Sequence, residues 1–145
     1  MLSALDVGKL AIAAMGLGLA QGAYEMALNY AKERKQFGQP ISQFQAISFK
    51  LAEMAMKLEL ARNTLYKACW LKDHDQHFSY EGTISKLYCS EIAKEIADEA
   101  VQIHGGYGLM NDYHIERFYR DQRLLQIGES TFEIQKLIIS RKIGC

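Results

Sequence analysis

The sequence predicts an all-α fold, an up-down four-helix bundle, on three observations. Ala and Leu each occur 16 times, whereas Val occurs twice and Thr three times. Ala and straight-chain residues lose little rotamer freedom in a helix, while strands favour β-branched side chains. Pro40 is the one proline in 145 residues, so long stretches are free of the residue that breaks helices. Apolar positions also recur at steps of three and four over long segments, the period of a helix with one buried face.

The first helix is expected from about Ser3 to Lys32. Its longest apolar run, Leu10 to Ala20, is eleven residues, well short of the roughly 20 that span a bilayer. Gln21, Glu25 and Asn29 then continue a polar stripe at four-residue spacing, so the run reads as part of a longer amphipathic helix, not as a leader peptide. Gly8, Gly16, Gly18 and Gly22 in the same segment suit close packing against a second helix. Glu33 to Ile41 is a connector punctuated by Gly38 and Pro40. Ser42-Gln43-Phe44-Gln45 fits a capping box. The second helix follows, with Phe44, Ile47, Leu51, Met54, Leu58, Ala61, Leu65 and Ala68 alternating by three and four, a seam that calls for a long partner.

After a polar turn from Lys72 to Ser79, a third helix is expected near Gly82 to Ile103, with Ile84, Tyr88, Ile92, Ile96 and Ala100 along its inner face. Gly105-Gly106-Tyr107-Gly108 closes it, because glycine readily takes the positive φ of helix ends. A shorter amphipathic piece runs from about Tyr113 to Asp121. A loop through Gly128 then leads to a second capping box, Ser130-Thr131-Phe132-Glu133, and a last helix to about Lys142.

Composition excludes several functions. Seventeen basic residues balance seventeen acidic ones, so nothing marks a nucleic-acid or anionic-membrane binder. Cys69, Cys89 and Cys145 are odd in number with no CxxC spacing, against a disulfide framework or zinc knuckle and in favour of a reduced compartment, and Cys69 and Cys89, on helical segments among apolar neighbours, read as inert buried thiols. No Glu has a His three residues on, which removes a di-iron bundle. The His74/His77 pair reads as an exposed turn and not as a metal site.

Three loops carry the remaining chemistry. Arg34-Lys35-Gln36-Phe37-Gly38 groups a guanidinium, an amide and an aromatic ring, and a forked donor suits pyrophosphate. Gln102-Ile103-His104-Gly105-Gly106 offers bare backbone to a close ligand. Glu129 places a carboxylate beside a helix N-terminus, after Gly128.

With these blocks in view, the chain resembles the C-terminal helical domain of the flavin-dependent acyl-CoA dehydrogenases. The matching stretches are Leu5-Asp6-Val7-Gly8-Lys9, Tyr30 to Gly38, Phe44 to Ile47, Ala52 to Ala55, Glu99 to Gly108, Tyr119 to Asp121 and Glu129 to Gln135. The resemblance implies α,β-dehydrogenation of an acyl thioester, with Glu129 as the base that takes the α-proton and FAD as hydride acceptor. It implies that Arg34, Phe37 and Gln45, with Gln102, Ile103, His104, Gly105 and Gly106, grip the flavin's adenosine diphosphate from a neighbouring subunit. Thr131 and Glu133 would contact flavin near the last helix, and Asp6, Lys9 and Ser130 would face substrate. Implied partners are acyl-CoA or another acyl thioester, further subunits in a homodimer or homotetramer, and an electron-transfer flavoprotein. The implied setting is fatty acid metabolism in a bacterial cytoplasm or the mitochondrial matrix. An alternative reading is a stand-alone helical interaction module without turnover.

Some residues depart from the family pattern. Gly128 and Ser130 stand where the family has Tyr and Gly around its Glu, and Lys9 stands where Arg is usual. Both departures bear on the acyl chain accepted. The resemblance covers one helical domain, residues 1–145. The family's N-terminal helical domain and middle β-domain have no counterpart in it, and the chain by itself is expected to fold without dehydrogenase turnover.

Overall fold

The computed structural model describes residues 2–145. It is all-α apart from one minimal hairpin, with the order α1 (Leu2–Glu33), β1 (Lys35–Gln36), β2 (Gln39–Pro40), α2 (Gln45–Asp73), α3 (Ser79–His104), α4 (Ile115–Ile127) and α5 (Phe132–Lys142). Short 3-10 turns at Ile41–Gln43, Gly105–Leu109 and Asn111–Tyr113 fill the connections. The first four helices run up-down-up-down, and α5 is a short fifth. No helix among the described residues is long and apolar enough to cross a membrane.

Side-chain contacts fix the directions. Helix α1 runs parallel to α3: Lys9 reaches Thr83 at 3.2 Å, Gly16 lies on the Cys89 backbone, and the Tyr30 ring stacks on His104 at 4.2 Å. Helix α2 runs antiparallel to α3, with Lys50 paired to Glu99, Lys57 to Glu95 at 2.6 Å, and the Ser85 hydroxyl donating to the Thr64 carbonyl at 3.0 Å. Helix α4 returns along α1, with Phe118 over Gly22 and Gly128 beside Ile12.

The core lies between α1, α2 and α3. Ala13, Ala20, Ala23, Ala27 and Ala31 are wholly enclosed on α1, and such small side chains let α3 approach closely. Leu51, Met54, Leu58, Ala61, Leu65 and Ala68 are the buried face of α2, as the seam predicts. Each large member contributes about 2 kcal/mol by leaving water.

Five local expectations are corrected. Ser42 caps nothing: Pro40, at φ −56°, starts a 3-10 turn, and α2 begins only after Phe44. The second capping box also fails, since the N-cap of α5 is Thr131, without a side-chain cap, and Ser130 lies outside the helix. The connector holds a β-hairpin whose tip, Phe37 and Gly38, has φ of 53° and 82°, the left-handed pair that matches strand twist. Helix α4 extends six residues past Asp121. The inner face of α3 also differs in part: Ile84 and Tyr88 are only half-buried, while Gly82, Lys86 and Cys89 point inward.

Candidate active site

The bundle carries its chemistry at two opposite ends. At the far end of α1, the helix stops at Glu33 and the hairpin folds back, with the Ile41 amide donating to the Arg34 carbonyl at 2.8 Å. There α3 ends in Gly105, at φ 59°. Between them opens a cleft of about 440 Å³, lined by Tyr30, Arg34, Ile103, His104, Gly105 and Gly106, among others. The Arg34 guanidinium is exposed, 5.5 Å above the Tyr107 ring. A Cβ added at Gly105 or Gly106 would meet nothing within 4 Å, so backbone faces open space there. His104 is buried, its Nδ1 bonded to the Ala100 carbonyl at 2.8 Å, and burial pushes its pKa below the usual imidazole range.

Five of the sequence-predicted cofactor residues therefore converge: Arg34, Ile103, His104, Gly105 and Gly106. Phe37 stands 94% exposed on the adjoining hairpin, edge-on to Phe44, and Gln45 opens α2 just beyond. Gln102 is exposed on the last turn of α3 and does not line the cleft; its carbonyl accepts the Gly105 amide. An exposed guanidinium, bare glycine backbone and aromatic rings around one cleft are a donor set that fits a dinucleotide's pyrophosphate and adenine. Tyr30, Gln36, Ile41, Tyr107 and Met110 also line the cleft. Of these, sequence reasoning singled out only Gln36, as the amide of the Arg34 loop, and missed the others, although Tyr30 and Tyr107 lie inside the matching blocks.

The other end centres on Glu129. Helix α4 ends at Ile127, and the chain turns through Glu129 and Ser130 at φ 52° and 85° before α5. Left-handed backbone costs a non-glycine residue about 1–3 kcal/mol and persists only where surroundings enforce it. The Glu129 side chain lies across Gly8 of α1: a Cβ there would stand 2.5 Å from the carboxyl carbon and 2.6 and 2.9 Å from its oxygens. Only glycine leaves that space. Glu129 is open to solvent, so this chain alone does not enclose it.

The neighbours of Glu129 divide by role. Lys9 is buried, its ammonium 2.8 Å from Asp6 and 3.2 Å from the Thr83 hydroxyl, so this pair bridges α1 and α3 one residue beyond Gly8. Thr131 and Glu133 are exposed at the start of α5. Hydrogen bonds accepted from its own backbone amide and from the Thr131 side chain hold the Glu133 carboxyl below the usual carboxylate range. Two side chains that the sequence reading left out also reach this loop, Lys86 and Gln135. Lys86 donates to the Ser130 carbonyl, and Gln135 to the Glu129 carbonyl and the Ser130 hydroxyl.

Elsewhere, burial pushes the Cys89 thiol up to about 12, which makes it inert. His74 stacks on Trp70 at 4.1 Å and bonds its carbonyl. Among the described residues no three His, Cys, Asp or Glu side chains gather as metal ligands.

Comparison with known proteins matches this architecture. Residues 1–144 fit the family model described as acyl-CoA dehydrogenase, C-terminal domain. The chain is 55% identical over 139 residues to the probable acyl-CoA dehydrogenase YngJ of Bacillus subtilis, covering 96% of this chain and 37% of that protein. It is 50% identical over 136 residues to the CarC subunit of the caffeyl-CoA reductase-Etf complex of Acetobacterium woodii, covering 94% and 36%. Butyryl-CoA dehydrogenase of Megasphaera elsdenii superposes with a TM-score of 0.94 at 42% identity, over 96% of this chain and 36% of that one. The chain thus spans little more than a third of the length of these proteins.

Proposed function

The chain belongs to the acyl-CoA dehydrogenase family, matching its C-terminal domain, and on that footing we propose that it supplies the catalytic base and one flavin grip of an α,β-dehydrogenase for acyl thioesters. The observation that carries the reading is the Glu129 carboxylate, held on a left-handed turn across the bare backbone of Gly8. Such a placement aims one carboxylate at one spot beside α1. The α-hydrogen of a thioester is weakly acidic, so its removal needs a base fixed within hydrogen-bond reach. Glu129 takes that proton. The left-handed turn sets the direction of the carboxylate, and the Lys9–Asp6–Thr83 bridge stiffens the α1–α3 seam beside it.

Arg34, with Gly105 and Gly106, holds the diphosphate of FAD, while Phe37 and Gln45 flank the same mouth and Gln102 contributes its carbonyl to the glycine turn. Bound FAD supplies the acceptor for the hydride lost from the β-carbon. Thr131 and Glu133 meet the flavin of the site that contains Glu129. The two ends of α1 are roughly 38 Å apart, from Gly8 to Glu33, at the helical rise. One extended dinucleotide does not reach both, so the two grips serve different flavins, and a second copy of the chain completes each site. The relative named as part of a reductase-Etf complex supports an electron-transfer flavoprotein as the onward acceptor.

The test is Glu129→Gln in a flavin-loaded dehydrogenase carrying this chain. Stopped-flow reduction of the flavin by the best thioester of a panel from butyryl-CoA to palmitoyl-CoA should slow by about a thousandfold. An unaltered rate would place the base elsewhere.

A further inference from the structure

Two buried polar side chains converge on the Glu129 loop. Lys86, in the N-terminal third of α3, is 0% exposed, yet it enters no ion pair among the described residues. Its ammonium donates to the Ser130 carbonyl at 2.7 Å and stands 5.2 Å from the centre of the Phe132 ring. Burying an ammonium without a counter-ion is costly. Burial accordingly pushes the Lys86 amine below its usual pKa, and the charge of Glu129 acts in the opposite sense. An unbranched apolar side chain would fill the same volume without that cost, so packing alone does not account for a lysine here.

Gln135, also 0% exposed, aims its amide at the same turn. Its Nε2 donates to the Glu129 carbonyl at 3.3 Å and to the Ser130 hydroxyl. Its Oε1 has no partner, so this side chain too is spent on the loop and not on the core. The two donors thus tie down adjacent peptide units, 129 and 130, where two non-glycine residues stand at left-handed φ.

We propose that Lys86, assisted by Gln135, is a positioning residue for the base: it clamps the Ser130 carbonyl so that the turn stays left-handed and the Glu129 carboxylate stays over Gly8. This rests on the reading of Glu129 as the base. Lys86 touches neither substrate nor flavin and acts through the backbone of the loop. Phe132 covers its charge, which keeps competing water from the clamp. Without it, the turn relaxes toward ordinary backbone and the carboxylate swings off its target. The substrate surface remains as it was.

The experiment compares Lys86→Met, Gln135→Met and Glu129→Gln in the flavin-loaded dehydrogenase carrying this chain. The best thioester of the same acyl-CoA panel is the probe. Lys86→Met should slow flavin reduction by about 100-fold, the effect of moving a reacting group by roughly an ångström. Thioester dissociation constant, flavin content and melting temperature should stay near their parent values, a pattern that a merely structural lysine would not give. Gln135→Met should slow the same step with the same pattern, and it decides the matter if Lys86→Met does not fold. Wild-type reduction rates in the folded variants overturn the proposal, as does a loss of rate that only tracks loss of melting temperature. If Glu129→Gln also reduces flavin at the parent rate, the base reading itself falls. If Glu129→Gln is slow while the other two are fast, only the clamp falls.

Discussion

The carboxylate of Glu129 and the missing side chain of Gly8 make a pair that neither residue announces alone. Gly8→Ala tests it. Alanine favours the α1 helix by about 1 kcal/mol over glycine, yet its Cβ would stand 2.5 Å from the Glu129 carboxyl carbon. The flexible carboxylate must move, so thermal unfolding should show a chain at least as stable while flavin reduction by acyl-CoA falls by about 100-fold. Glu129 itself was legible in the sequence, as a carboxylate just before a helix and inside a family motif. Gly8 was legible only as a close-packing glycine, because its partner lies more than a hundred residues away. Lys86 left a trace that went unread. Gly82, Lys86, Cys89, Ala93, Ile96, Ala100 and Ile103 alternate by four and three and are all buried, so a lysine stands inside an otherwise apolar seam. The four-residue series from Ile84 obscured it, since both series share Ile96 and Ala100.

At the scale of elements, the seam of α2 was legible from Leu51 to Ala68 because its period is strict, whereas Phe44 and Ile47 at its start are only half-buried and Phe44 lies outside the helix. The helix starts were not, because local cues lost to chain geometry: Pro40 set a 3-10 turn that displaced the Ser42 cap, and the left-handed turn at 129–130 pushed the α5 cap to Thr131. The glycines of α1 divide by what they face. A Cβ at Gly16 would stand 2.9 Å from the rigid Cys89 carbonyl oxygen, whereas one at Gly18 meets nothing within 4 Å. Gly16→Ala should therefore destabilise the bundle by about 2 kcal/mol, and Gly18→Ala should stabilise it by about 0.5–1 kcal/mol, both measured by chemical denaturation. The end of α3 carries a pH dependence. Burial lowers the pKa of His104 in the folded chain, so the unfolded chain binds more protons below the ordinary histidine value of about 6.5. Stability should then fall as pH drops through that value. His104→Phe should flatten that slope in denaturation curves taken across it.

The whole molecule separates the cleft beside Arg34 from the Glu129 turn by most of the length of α1. The fold class and both ends were legible from composition, period and motif. Their separation was not, because nothing in a linear motif states how many helical turns stand between two sites. Under the shared-site reading, Arg34→Gln should weaken FAD binding by about ten- to a hundredfold with the helices intact, since its guanidinium is exposed. Mixing Arg34→Gln subunits with Glu129→Gln subunits should then restore part of the lost activity, because hybrids rebuild one intact site. The most direct test of the central claim isolates proton removal from hydride loss. An acyl-CoA with sulfur at the β-position cannot surrender a β-hydride, so any reaction stops at the α-carbon. In deuterium oxide, the flavin-loaded dehydrogenase carrying this chain should place deuterium on that carbon, and Glu129→Gln should abolish the exchange. Exchange that continues at the parent rate in Glu129→Gln would contradict the account.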